Sequence, residues 1–183
     1  MLRVPVYIAA VALSLQAPPA VEDTLALMPA ADSVVTAVAA PEPEPEPEPA
    51  LSDQVIAYAR TFLGTPYKLG ASGPSKFDCS SYTSYVFRHF GYEITPYSQA
   101  QFREGREVAS YFELQKGDLV FFGKRAGVRT IGHVGIVVSI DQEKGSFTFI
   151  HASVSGGVVE QTSSHPYFMM RYIGARRILP DEE

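Results

Sequence analysis

The stretch Phe77-Asp78-Cys79-Ser80-Ser81 carries the only cysteine of the 183-residue chain, and an amphipathic run follows it at once. A Ser-, Gly- and Pro-rich loop over 71–76 precedes it, so Cys79 stands where a loop ends and a helix begins. Spacing predicts a helix to about Phe90, with Gly91 as the residue past its C-terminus. Cys79, Thr83, Val86 and Phe90 fall on one face with Tyr82 beside them, which buries the helix while its first turn opens onto a cleft. A thiol at a helix N-terminus faces unpaired N–H groups and the positive end of the dipole, and both favour the thiolate. The bland alternative is an inert buried cysteine packing as a small hydrophobe.

Working outward, residues 51–63 read as a helix with Ser52 as N-cap and an apolar face of Val55, Ile56, Ala59, Phe62 and Leu63, ended by Gly64. A glycine-punctuated loop carries Tyr67 in a short extended piece. Residues 92–111 mix polar and aromatic side chains and wrap the surface, with a helical turn near 98–104. Beyond a turn ending in Gly117-Asp118, strands are expected over 119–122, 132–140, 146–152 and 172–179. A basic loop with Lys124, Arg125 and Arg129 separates the first two.

His133 and His151 lie on apolar strands. If the hairpin loop between those strands is the five residues 141–145, Ile140 pairs with Ser146. His133 then faces Ser153, His151 faces Gly135, and both rings stand on one sheet face as diagonal neighbours. A four-residue loop would put them on opposite faces. Beside a helix bearing a thiolate, the pair forms a catalytic arrangement. Cys79 attacks a carbonyl, His133 forms an ion pair with it and later protonates the leaving amine, and His151 orients His133. The Cys79 backbone N–H supplies one oxyanion donor. The same three residues could instead hold zinc, a reading placed behind catalysis because closer ligand spacing or a carboxylate is missing. His89 reads as an exposed residue near a helix C-terminus, His165 as structural, and Asp118 as a turn-former. No metal or cofactor is expected.

The N-terminus has Arg3, an apolar run over 4–15 and then small residues and prolines, so 1–20 reads as a secretory signal too short to span a bilayer. No cysteine follows that run, which argues against lipid anchoring. Residues 21–50 read as a disordered Pro/Glu-rich linker. Its nine-residue end 41–49 alternates Pro and Glu and makes a polyproline spacer of about 28 Å. Residues 1–50 hold one basic and seven acidic residues, whereas 51–183 hold 14 basic and 13 acidic. The net charge of −5 therefore hides a mildly basic domain over 51–180, ahead of an acidic tail 181–183. A lone cysteine in an exported chain cannot form an internal disulfide, which favours a reactive thiol.

Five motifs in order resemble the NlpC/P60 family of bacterial cell-wall cysteine peptidases, over about 51–180. They are Gly64-Thr65-Pro66-Tyr67, Phe77-Asp78-Cys79-Ser80, Leu114-x-x-Gly117-Asp118-Leu119-Val120-Phe121-Phe122, Gly132-His133-Val134-Gly135-Ile136 and Phe149-Ile150-His151-Ala152-Ser153. The resemblance implies an α+β, papain-like fold in which an N-terminal helix carrying the Cys packs on an antiparallel sheet. It gives Cys79, His133 and His151 the nucleophile, base and third positions, Tyr67 the place of an active-site tyrosine, and Asp78 and Ser80 positions lining the cleft. The run from Pro166 to Leu179 looks most like the murein endopeptidase branch, whose members cut D-alanyl–diaminopimelate crosslinks. Other members cut between γ-D-glutamyl and diaminopimelate residues. The chain departs from the family in Ser81 where Gly is usual, in Gly70-Ala71 where Gly-Gly is frequent, and in Tyr97-Ser98 where Arg-Ser is frequent.

The implied protein is an exported, monomeric peptidoglycan endopeptidase of the periplasm or cell envelope, acting on stem peptides without nucleic acid and without stable membrane insertion. A non-catalytic wall-binding module is the competing class, and an intact Cys79, His133 and His151 argue against it. Acyl or amide transfer by the same thiolate is a third. No phosphate loop, heptad pattern or basic-aromatic stripe supports nucleotide, coiled-coil or nucleic-acid roles.

Overall fold

A computed structural model describes residues 48–181, so the expected signal segment and nearly all of the linker lie outside the described residues. The helix that opens at the cysteine, α2 (Cys79–His89), is the second of the described helices. Its start is fixed by a reciprocal capping box. The Asp78 carboxylate accepts the Ser81 N–H at 2.8 Å, and Ser81 Oγ accepts the Asp78 N–H at 3.0 Å. Its end is set by Gly91, whose φ of +84° suits only glycine, with Gly91 N–H donating to Arg88 O and Tyr92 N–H to Phe87 O.

Helix α1 (Leu51–Arg60) is shorter than expected. From Thr61 onward the N–H groups reach back three residues, and this tightened turn runs into Gly64 at φ +81°. Ser52 is not its cap. Ala50 holds that position without a side-chain bond, while Ser52 is buried inside the first turn. Tyr82, fully buried, donates its Oη to Ala59 O at 2.9 Å, and Tyr58 stacks on His89 at 3.8 Å, so the two helices are joined at both places. His89 is thus exposed as expected, and also serves as packing.

The chain continues through α3 (Ser98–Gln101), β1 (Arg106–Val108), a 3₁₀ turn (Tyr111–Glu113), β2 (Leu119–Gly123), β3 (Ile131–Asp141), β4 (Ser146–Ser153), β5 (Gly157–Thr162), α4 (Pro166–Met169) and β6 (Tyr172–Arg177). The strands form one sheet in the order β1-β6-β2-β3-β4-β5, antiparallel at every pairing. β1 and β5, which sequence reading passed over, are its two edges.

Alternation divides the strand residues between two cores. Leu119, Phe121, Val134, Ile136, Ile150 and Ala152 pack against α1 and α2. Val120, Phe122, Val137, Phe147 and Phe149 pack on the other face against Phe168 of α4. Each fully buried Phe contributes about 1.5–3 kcal/mol of apolar burial. Asp118 forms its turn by accepting the Gln115 N–H, and it also makes a buried two-pronged ion pair with Arg177 at 2.7 and 2.9 Å.

The β3–β4 hairpin differs from expectation. Asp141 pairs with Ser146, which leaves a four-residue loop. A register shift between Val137 and Ser139 inserts Val138 as an extra residue, and beyond it Val137 pairs with Phe149 and Ile136 with Ile150. The bulge restores the parity that the loop would have reversed. His133 and His151 share a face, by a different route from the one expected.

Candidate active site

Cys79 begins α2 and is almost wholly buried, with 9% of its surface exposed. The backbone N–H groups of Val134 on β3, then Ser80 and Cys79, lie near enough to its sulfur to favour the thiolate. Burial nonetheless pushes its thiol up to about 11, with the neighbouring Asp78 carboxylate adding to the rise. The expectation of a resting thiolate is therefore corrected. The dipole it invoked is already answered by Asp78, whose carboxylate caps the same helix end.

The histidines stand on the sheet face that carries Phe122, Phe149 and Phe168, away from the layer of α1 and α2. That differs from an imidazole pair lying directly under the helix. The link to Cys79 runs through the main chain of β3, because the N–H that meets the sulfur belongs to Val134, the residue after His133. His133 Nε2 and His151 Nδ1 are 2.7 Å apart, with the rings nearly perpendicular at 86°. His151 Nε2 in turn lies 2.7 Å from Gln161 Oε1. Gly135 makes the diagonal approach possible, since a Cβ there would stand 2.6 Å from the Phe149 ring and 3.1 Å from His151 Cβ. Burial holds His133 down at about 3, helped by His151, and holds His151 down at about 4 against the bond to Gln161. Both rings are neutral at physiological pH.

Two cavities adjoin along β3. The larger, about 820 Å³, is lined by Cys79, Tyr67, Asp78, Ser80 and Gly132 among others, with exposed Leu69 and Tyr97 at its edge. The smaller, about 290 Å³, is lined by His133, His151, Gln161 and His165. Tyr67 lies close enough to Cys79 and Asp78 for their charges to add to the burial that raises its phenol. Asp78 and Ser80 line the cleft, but their polar atoms also hold it together. Asp78 Oδ2 accepts the Gly70 N–H at 2.9 Å, and Ser80 Oγ lies 3.0 Å from Pro96 O and 3.2 Å from Asp78 Oδ1. Ser81, the departure from the family pattern, completes the capping box and donates to Ala71 O.

Two contributors escaped sequence reading. Gln161 lies on the unrecognised β5, although Val158, Val159 and the Gly pair before them are a strand signal. Gln101 is fully buried and ties α3 to the first turn of α2, its Nε2 donating to Ser80 O and its Oε1 accepting from Thr83. No local signal marks it. His165 caps α4 through Nδ1, which gives its structural role a definite form. No cluster of three metal-ligating side chains exists among the described residues. Nor is any described helix long and apolar enough to cross a membrane.

The sequence model of the NlpC/P60 family matches residues 64–177, and the chain belongs to that family. It is 40% identical over 117 residues to the Escherichia coli (strain K12) protein named murein DD-endopeptidase MepS/murein LD-carboxypeptidase, covering 63% of this chain and 57% of that one. It is 45% identical over 82 residues to a probable endopeptidase p60 of Listeria grayi, covering 45% of this chain and 15% of that one. The chain thus spans less than two thirds of the length of these relatives. Among solved structures, an NlpC/P60 family protein from Bacillus cereus ATCC 10987 superposes with a TM-score of 0.64 at 32% identity, over 73% of this chain and 42% of that one. The NlpC/p60 domain of the peptidoglycan hydrolase SagA superposes at 0.57 with 25% identity, over 70% of this chain and 99% of that domain. The α+β, papain-like expectation is borne out.

Proposed function

We propose that the protein is an exported cysteine endopeptidase that hydrolyses peptide bonds in bacterial peptidoglycan, the D-alanyl–diaminopimelate crosslink above all. It acts as a monomer in the periplasm or cell envelope, its 51–180 domain carried on a Pro/Glu spacer. The observation that carries this reading is the meeting of the Cys79 sulfur with the Val134 N–H, next to a histidine whose far nitrogen is engaged by His151. The murein activity named for the E. coli relative supports the substrate.

Cys79 is the nucleophile and His133 the base. Nδ1 of His133 is the ring nitrogen not facing His151, and it is the one assigned as base. Because thiol and imidazole both rest neutral, proton transfer belongs to the attack step rather than to a standing ion pair. The thiol proton moves to His133 Nδ1 as sulfur bonds the carbonyl carbon. The oxyanion is met by main-chain N–H groups at the α2 start and by the Tyr67 hydroxyl. The C–N bond then breaks as the amine takes the proton from Nδ1; water attacks the thioester with the same nitrogen as base, and the C–S bond breaks as sulfur takes that proton back. His151 holds the His133 ring throughout.

Digestion of purified crosslinked peptidoglycan by the full chain and by Cys79→Ala, with products identified by mass spectrometry, tests this. Conversion of crosslinked dimers to monomers by wild type alone is expected. Cleavage after γ-D-glutamate would move the enzyme to the other branch. Wall binding without cleavage by either form would replace the enzyme with a binding module.

A further inference from the structure

We infer that Gln161 is a positioning residue for the proposed reaction: its amide oxygen fixes the tautomer of His151 and, through it, of His133, leaving His133 Nδ1 free to take the thiol proton. The inference rests on the peptidase reading for its catalytic meaning, but its structural content stands on geometry alone.

Gln161 Oε1 lies 2.7 Å from His151 Nε2, and an amide oxygen can only accept. His151 Nε2 must therefore carry a proton. In a neutral ring the other nitrogen is then bare, so His151 Nδ1 is an acceptor. His133 Nε2, 2.7 Å from that nitrogen, must carry the proton between them. Neutral His133 has no second proton, and its Nδ1 is left with an open lone pair. One oxygen at the end of the relay therefore decides which nitrogen of His133 is left as a base. The proton accounting closes with a single transfer: the thiol proton goes to Nδ1, the imidazolium keeps its Nε2 proton on His151, and neither His151 nor Gln161 changes state.

The position of Gln161 is built rather than incidental. In the β4–β5 ladder Phe149 pairs with Gln161 and His151 with Val159, so Gln161 is the same-face diagonal neighbour of His151. β5 is a sheet edge, yet it is pinned along its free side. Gly64 N–H donates to Val158 O, Val158 N–H donates to Thr65 O, and Glu160 pairs with Arg60 of α1 at 2.6 Å. The segment that holds β5 leads within two residues to Tyr67, so the relay and the cleft share one support.

The test uses the full chain labelled with ¹⁵N. Long-range ¹H–¹⁵N correlations report which nitrogen of each ring is protonated, in wild type and equally in the inactive Cys79→Ala. Both histidines are expected to carry the proton on Nε2. Gln161→Leu is expected to mix the His151 tautomers and to lower kcat by about tenfold to a hundredfold, the range in which hydrogen-bonded supports of a histidine ligand act, with KM little changed. Gln161→Glu, whose carboxylate also only accepts, is expected to restore both the tautomers and most of kcat. A wild-type His151 protonated on Nδ1 would overturn the inference, as would Gln161→Leu with unchanged tautomers or unchanged kcat. If the tautomers behave as expected while wild type cuts no peptidoglycan, the relay stands and the peptidase reading fails.

Discussion

Asp78 and Ser81 bond to each other across the first turn of α2, carboxylate to N–H in one direction and N–H to hydroxyl in the other, at 2.8 and 3.0 Å. The residue that sets the helix start is thus also the anion beside the thiol. Asp78→Asn keeps an oxygen for the cap and removes the charge. The alkylation rate of Cys79 against pH should then shift to lower pH than in wild type. Asp78→Ala loses the cap as well, and its thermal unfolding should show a loss of about 0.5–2 kcal/mol.

Neutral rest states set the pH behaviour. The Cys79 thiol at about 11 should give no thiolate ultraviolet absorbance at neutral pH relative to Cys79→Ser, and the signal should grow only as pH nears 11. A strong thiolate band at neutral pH would restore the standing ion pair and remove the general-base description.

The two histidines also tie stability to pH. Their folded values, about 3 and about 4, lie below the ordinary 6.5, so the unfolded chain binds protons first. Their contribution is complete above pH 6.5 and is lost as pH falls toward 4 and 3. Urea midpoints should fall across that window, and His151→Gln should flatten part of the fall.

Gly135 gives the relay its space. Gly135→Ala puts a methyl 2.6 Å from the Phe149 ring and 3.0 Å from the Ile150 carbonyl, so Phe149 or the β4 main chain must move with His151. Activity should fall at least about tenfold, a barrier change of roughly 1.4 kcal/mol, with the His133–His151 coupling weakened in the same ¹H–¹⁵N spectra.

Away from the cleft, Arg177→Met leaves Asp118 buried at 1% exposure without its cation. Such a break costs about 3–5 kcal/mol, and denaturant unfolding should show it. Replacing both partners with apolar residues should cost less than either change alone.

Arg103 and Lys124 line the cleft with no acid partner among the described residues, and Gly132 leaves the gap that Lys124 crosses, its Cγ 2.5 Å from where a Cβ would stand. Peptidoglycan stem peptides carry free carboxylates. If the proposed activity holds, Lys124→Met and Arg103→Met should raise KM for crosslinked muropeptides and leave kcat nearly unchanged. Muropeptides with amidated diaminopimelate should lose most of that difference.

Much of the fold was legible because its signals are local. Gly91 ends α2 where a left-handed residue was expected, and the strands over 119–122, 132–140 and 146–152 lie within a residue or two of their places. β1 was missed since a three-residue edge strand buries little, whereas the Val158-Val159 signal of β5 was passed over. Cys79, His133 and His151 were singled out from a helix start, strand register and motif order, whereas Gln161 and Gln101 bond across chain separations of 10 and 21 residues that no motif spans.

By itself, the sequence determined which side chains were available and on which elements they ride: a thiol at a helix start, two imidazoles on adjoining strands, glycines where the chain must turn. Tertiary structure alone decided their relations. Ring direction depends on register, and register depended on one inserted residue, Val138, that reverses the effect of a four-residue loop. The charge state of the thiol was equally out of local reach, because burial is a property of everything packed around Cys79, and here it outweighs the helix end on which the sulfur sits.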